Sequence, residues 1–132
     1  MTDSGSLNEV VLVVDDEPAI REAVSDILEF AGIDTLLAAN GLEAIDLFQR
    51  ERRRIGAILL DMRMPVMSGA ETYSKLRALD TAIAIILSSG FDEAGTTIDG
   101  DDDEALFFLR KPYSMDSLLA VVRQVLGQIR SR

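Results

Sequence analysis

Four polar clusters in this 132-residue sequence each follow an apolar run. Asp15, Asp16 and Glu17 close "VVLVV", Asp61 closes "IGAILL", Ser88 and Ser89 close "AIAIIL", and Lys111 with Pro112 follows "ALFFLR". Adjacent carboxylates oppose one another's ionisation unless a cation or hydrogen bonds compensate. If the first and third runs are neighbours, Asp16 and Asp61 form an incomplete oxygen cage. Such a cage suits Mg²⁺, with Mn²⁺ as a substitute, because a hard cation takes one or two carboxylates and leaves room for phosphate oxygens. A carboxylate there can also attack a phosphoryl group to give an acyl phosphate. The metal, the Lys111 ammonium and a serine hydroxyl would then share the charge of the equatorial oxygens.

Each residue has a plainer reading. Asp15 and Asp16 could cap a helix, Asp61 could end a strand in a turn, Lys111 could be a surface lysine, and serines are common turn formers. Their joint occurrence at the ends of apolar runs favours a site. Met62, Met64 and Met67 read as packing, since thioethers prefer soft metals and fill irregular apolar gaps.

Composition narrows the chemistry. Thirteen basic against 23 acidic residues give a net charge of -10, which argues against nucleic-acid or anionic-membrane partners. The absence of Cys removes disulfides and thiolate chemistry, and suits a cytoplasmic location. The absence of His removes imidazole acid-base catalysis and most zinc sites. No apolar stretch approaches the ~18 residues of a membrane span. The start "MTDSGSLNE" lacks a signal peptide's apolar core. Residues 1–8 are expected to be a disordered leader and 9–130 one domain.

The clusters need elements to position them. Val10 to Val14 has no apolar/polar alternation and is rich in β-branched residues, the pattern of a strand buried on both faces. Ile20, Val24, Ile27, Leu28 and Ala31 then recur at helical spacing, with Pro18 in the first turn and Gly32 at the stop. "IDTLLAA" is a strand, "NGLEAIDLFQRERRR" a helix capped by Asn40, "IGAILLD" a strand, and "SGAETYSKLRAL" a helix capped by Ser68. "AIAIILSS" and "ALFFLR" are strands. The last helix, capped by Ser114, buries Leu118, Val122, Val125 and Ile129. Phe107 and Phe108 face opposite ways, so at least one is core. Five strands alternating with helices imply an α/β fold with a parallel sheet and helices on both faces. Residues 92–104, "DEAGTTIDGDDDE", should hold a fourth helix but lack an apolar stripe, so a short or mobile helix is expected. Asp99, Asp101 and Asp103 alternate as in a calcium loop, yet Glu104 stands where an EF-hand needs Gly and Arg110 where it needs Glu. A solvated charge run is the better account.

In this order "VVDDE", "LLDMRMPVMSG", "LSSGF" and "LRKPYS" resemble the response-regulator receiver domains of two-component signalling, from about Val10 to Ile129. The resemblance implies the flavodoxin-like strand order 2-1-3-4-5. It implies that Asp61 is the phosphoacceptor, and that Asp16, Asp61 and the backbone carbonyl of Arg63 ligate Mg²⁺ while Asp15 orients a metal water. Lys111 would pair with the phosphate, ahead of a cis bond to Pro112. Ser89 would be the switch hydroxyl, with Ser88 the alternative, and Phe108 the switch aromatic. Arg63, Gly90 and Phe91 would line the entrance for attacking water.

The implied function is a phosphorylation switch. A histidine kinase or histidine phosphotransfer protein would phosphorylate Asp61, and the fifth strand with its two flanking helices would change its contact with a protein partner. The chain would be no enzyme beyond its own phosphorylation and dephosphorylation. Only "SR" follows the last helix, so no effector is expected, and "LSSGF" and "KPYS" lean toward a receiver from a hybrid kinase over a free regulator or shuttle. Two rivals stand beside it. One is a receiver-like scaffold that is never phosphorylated. The other is a haloacid-dehalogenase-type phosphatase, whose general-acid Asp would fall at Arg63.

Overall fold

In the computed structural model, residues 9–90 and 103–130 are described. Strands β1 (Val10–Val14), β2 (Thr35–Ala38), β3 (Ile55–Asp61), β4 (Ala84–Ser89) and β5 (Leu106–Arg110) form one sheet in the order β2-β1-β3-β4-β5. All neighbours pair in parallel. Helices α1 (Pro18–Phe30), α2 (Gly41–Glu51), α3 (Gly69–Leu79) and α4 (Met115–Arg130) cover the two faces. The parallel α/β fold and the strand order match expectation. The expected helix between the fourth and fifth strands falls almost wholly outside the described residues, as do residues 1–8, Phe91, Asp99 and Asp101, and the side chain of Ile129.

The central strands are buried on both faces, so alternate residues serve two cores. Leu12, Ile58, Leu60 and Ile85 pack with Phe48 of α2 and Leu76 of α3. Val11, Val13, Leu59 and Ile86 pack with Leu28 of α1 and Val122 of α4. Burial of this kind is worth about 25 cal/mol per Å² of apolar surface. Met62 and Met64 join the first core and Met67 is buried, as packing residues should be. Asn40 Oδ1 accepts from Glu43 N–H at 2.9 Å, Ser68 Oγ from Glu71 N–H at 3.1 Å, and Ser114 Oγ from Ser117 N–H at 3.0 Å. These three caps satisfy N–H groups that the helices leave unpaired. Gly32 ends α1 with φ +86, a conformation that favours glycine.

Candidate functional site

Asp15 follows β1, Asp61 ends β3, Ser88 and Ser89 end β4, and Lys111 follows β5, so the sheet delivers all of them to its carboxyl edge. In such sheets that edge is where ligands bind. Lys111 Nζ donates to Asp61 Oδ1 at 3.1 Å and lies 3.5 Å from Asp15 Oδ2. Asp15 and Asp61 are buried, and Asp16 is half-buried. One carboxylate oxygen from each of Asp15, Asp16 and Asp61 lies within 4.8 Å of the others. The α1 helix has no side-chain cap, so neither Asp15 nor Asp16 is a helix cap. Asp15 Oδ1 instead accepts from the N–H of Glu17 at 2.9 Å, which fixes the carboxylate in the pocket.

The electrostatics follow from that crowding. Burial pushes the Asp61 carboxyl up, with Asp15 adding to it, and the hydrogen bond and charge of Lys111 only partly offset this. Burial alone would lower Lys111, but its bond to Asp61 and the nearby charges hold it above the ordinary lysine value. Of the three carboxylates, Asp15 and Asp61 meet the Lys111 ammonium. An all-oxygen donor set short of positive charge fits a hard divalent cation.

The neighbouring loop is fixed by Gly69. Its N–H donates to Met62 O at 3.0 Å, and a Cβ there would lie 2.5 Å from the backbone of Asp61 and Met62. Glycine therefore lets α3 start against the backbone that carries Asp61. Sequence reasoning quoted this glycine within a motif without giving it that part.

Strand register separates the two serines. Asp61 pairs with Ser88, and Ser89 stands one position on, half-buried at the end of β4. Ser88 is 2% exposed and its Oγ has no hydrogen-bond partner. Burial pushes the Tyr113 phenol up, and Lys111, Asp15, Asp61 and Ser88 all act on it. Tyr113 was visible in sequence only as the residue after Lys111–Pro112, whose peptide bond is cis. Phe107 packs in the second core, whereas Phe108 is 67% exposed.

Asp103 departs from expectation. It is not a solvated acid: Arg77 Nε and Nη2 donate to its two oxygens at 2.7 and 3.1 Å, and the Tyr73 hydroxyl bonds it as well. The spacing that suggested a charge run carries no sign of these partners from α3.

Comparison with known proteins meets the same outline. The family model of the response regulator receiver domain matches residues 11–123. Sporulation initiation phosphotransferase F of Bacillus subtilis is 32% identical over 120 residues, which cover 91% of this chain and 95% of that protein. Response regulator MprA of a Mycobacterium strain is 35% identical over 116 residues, 88% of this chain but only 50% of that protein. The chain thus spans about half the length of its mycobacterial relatives. Among solved structures, chemotaxis protein CheY4 of Vibrio cholerae superposes with a TM-score of 0.78 and 31% identity, covering 88% of this chain and 97% of that one. A receiver domain protein from Clostridium thermocellum does so with a TM-score of 0.84 and 25% identity, covering 92% and 96%.

Proposed function

This chain belongs to the response regulator receiver domain family, and from that premise we propose that it accepts a phosphoryl group on Asp61 from a phosphohistidine protein in the cytoplasm and thereby switches its contact with a protein partner. The observation that carries the reading is the buried Asp61 held by Lys111 within a cluster of three carboxylates.

An Asp61 oxygen attacks phosphorus, a P–O bond forms, and the P–N bond to the donor imidazole breaks with its electron pair leaving on nitrogen. Lys111 releases its bond to Asp61 and pairs with a phosphoryl oxygen. Ser89, with Ser88 as the alternative, would offer a hydroxyl from the end of β4 to a further oxygen. Asp15, Asp16, Asp61 and the carbonyl of Arg63 would hold Mg²⁺, which neutralises charge on the transferring group when bound. An apolar groove of about 650 Å³ between α1 and the residues after β5 opens beside Lys111, and suits the approach of a donor helix. Phe108, now outward, would turn in when the hydroxyl moves.

Incubation with acetyl phosphate and Mg²⁺, followed by intact mass, tests this. Wild type gains about one phosphoryl group, and the gain disappears with EDTA and in Asp61→Asn. If wild type gains nothing from acetyl phosphate or from a panel of phosphohistidine donors, the scaffold reading takes its place.

A further inference from the structure

The turn from β1 into α1 carries Asp15 and Asp16 and contains no glycine. Within it Glu17 N–H donates to Asp15 Oδ1 at 2.9 Å, and α1 then begins at Pro18 without a side-chain cap. On the strand side, the Asp15 N–H donates to Ala38 O of β2 at 3.2 Å. On the helix side, Arg21 reaches back: its Nη1 donates to the Asp15 carbonyl at 2.7 Å, while its own backbone N–H donates to Glu17 O at 3.0 Å. That carbonyl lies just past the last paired residue of β1, Val14. Arg21 is half-buried, and a cation so near a helix N-terminus works against the helix dipole. The bond it makes accounts for its place, since a hydrogen bond from a charged donor is among the stronger kind.

We propose that Arg21 is a positioning residue of the carboxylate cluster: by clamping the Asp15 carbonyl to α1, it sets Asp15 and Asp16 against Asp61 for Mg²⁺. The inference rests on the receiver reading and deepens it. Arg21 offers the metal no ligand, because a guanidinium only donates. It acts on the turn that bears two of the three converging carboxylates. Mg²⁺ tolerates little departure from octahedral geometry, so a small shift of that turn is felt as affinity.

The sign of the effect separates a clamp from a charge. Removing a nearby positive charge strengthens cation binding through space, whereas removing a clamp weakens it. Mg²⁺ is titrated calorimetrically into wild type, Arg21→Met, Arg21→Lys and Arg53→Met, each held well below its Tm. Arg53 is exposed just ahead of β3, at the opposite edge of the sheet, so its loss removes the same charge away from the site. The expected result is binding about tenfold weaker in Arg21→Met, the scale of a lost outer support for metal ligands. Arg21→Lys, with the charge kept and the arm shortened, falls between the two, and Arg53→Met binds at least as tightly as wild type. A loss of stability alone leaves the affinity of the folded protein unchanged. Wild-type or tighter binding in Arg21→Met, or equal weakening in Arg53→Met, overturns the inference while the mass gain on Asp61 stands. If Arg21→Met does not fold, Arg21→Lys decides: weaker binding supports the clamp and wild-type binding overturns it. Failure of wild type to be phosphorylated removes the receiver reading and the inference with it.

Discussion

Val66 has φ 73, a conformation that β-branched residues resist because the side chain crowds the backbone. The strain is local to the loop that carries Asp61 into α3. Met67 N–H donates to Pro65 O at 2.8 Å, which closes a three-residue turn around Val66. Turns of this hand are rare and strained. The Val66 side chain offers no packing in return, being 76% exposed. Replacing it with glycine removes the crowding, about 1–2 kcal/mol, and adds glycine's chain entropy, about 0.5–1 kcal/mol. Val66→Gly is therefore expected to stabilise the fold by about 0.5–1 kcal/mol, read as a Tm rise of a few degrees, with phosphorylation of Asp61 retained. A lower Tm would show that the valine contributes contacts that its exposure conceals.

At the scale of elements, one ion pair ties three of them together. Arg77 of α3 holds Asp103 ahead of β5 and also donates to the carbonyls of Asp80, Ile83 and Ala105, where α3 ends and β4 and β5 begin. Burial pushes the Asp103 carboxyl up, but bonds from Arg77, Tyr73 and the N–H of Ala105 outweigh it and hold the group below the usual carboxylate range. A depressed folded value has a definite sign: the unfolded chain takes up the proton first. The stabilisation is complete above the unfolded value of about 3.9 and is lost as pH falls through the lower folded one. Asp103→Asn should therefore cost about 2 kcal/mol at neutral pH and leave an acid limb shallower than wild type in Tm against pH. Parallel limbs would refute the clip. The clip also marks the limit of what the sequence disclosed. Runs such as "VVLVV" and "IGAILLD" were legible as strands because burial on both faces leaves no polar alternation, and the caps Asn40, Ser68 and Ser114 were legible because their chemistry is local. Asp61, Asp15 and Lys111 converge as their strand ends required. Asp103 acts through partners distant in sequence, and its neighbours along the chain give no hint of them.

For the whole molecule, a net charge of -10 sets up self-repulsion that any salt relieves in part, whereas the cluster at the sheet edge concentrates three carboxylates, two of them against Lys111. The two effects separate by ion. Diffuse repulsion responds to ionic strength regardless of the cation; a coordination site responds to Mg²⁺ at concentrations that scarcely alter screening. The site exists only when β1 and β3 are paired, so a cation bound there stabilises the native state and not the unfolded chain. At about 100 times its dissociation constant the gain is about 2.7 kcal/mol, or roughly 8 °C in Tm for a domain of this size. Asp16→Asn and Asp61→Asn should each flatten the Mg²⁺ dependence, because each removes one of the converging negative charges, while sodium chloride at matched ionic strength should shift all three proteins alike. If matched sodium chloride reproduces the wild-type rise, or if the rise survives in Asp61→Asn, the cluster is relieved by screening alone. Metal binding and phosphoryl transfer at this edge would then have to be argued apart.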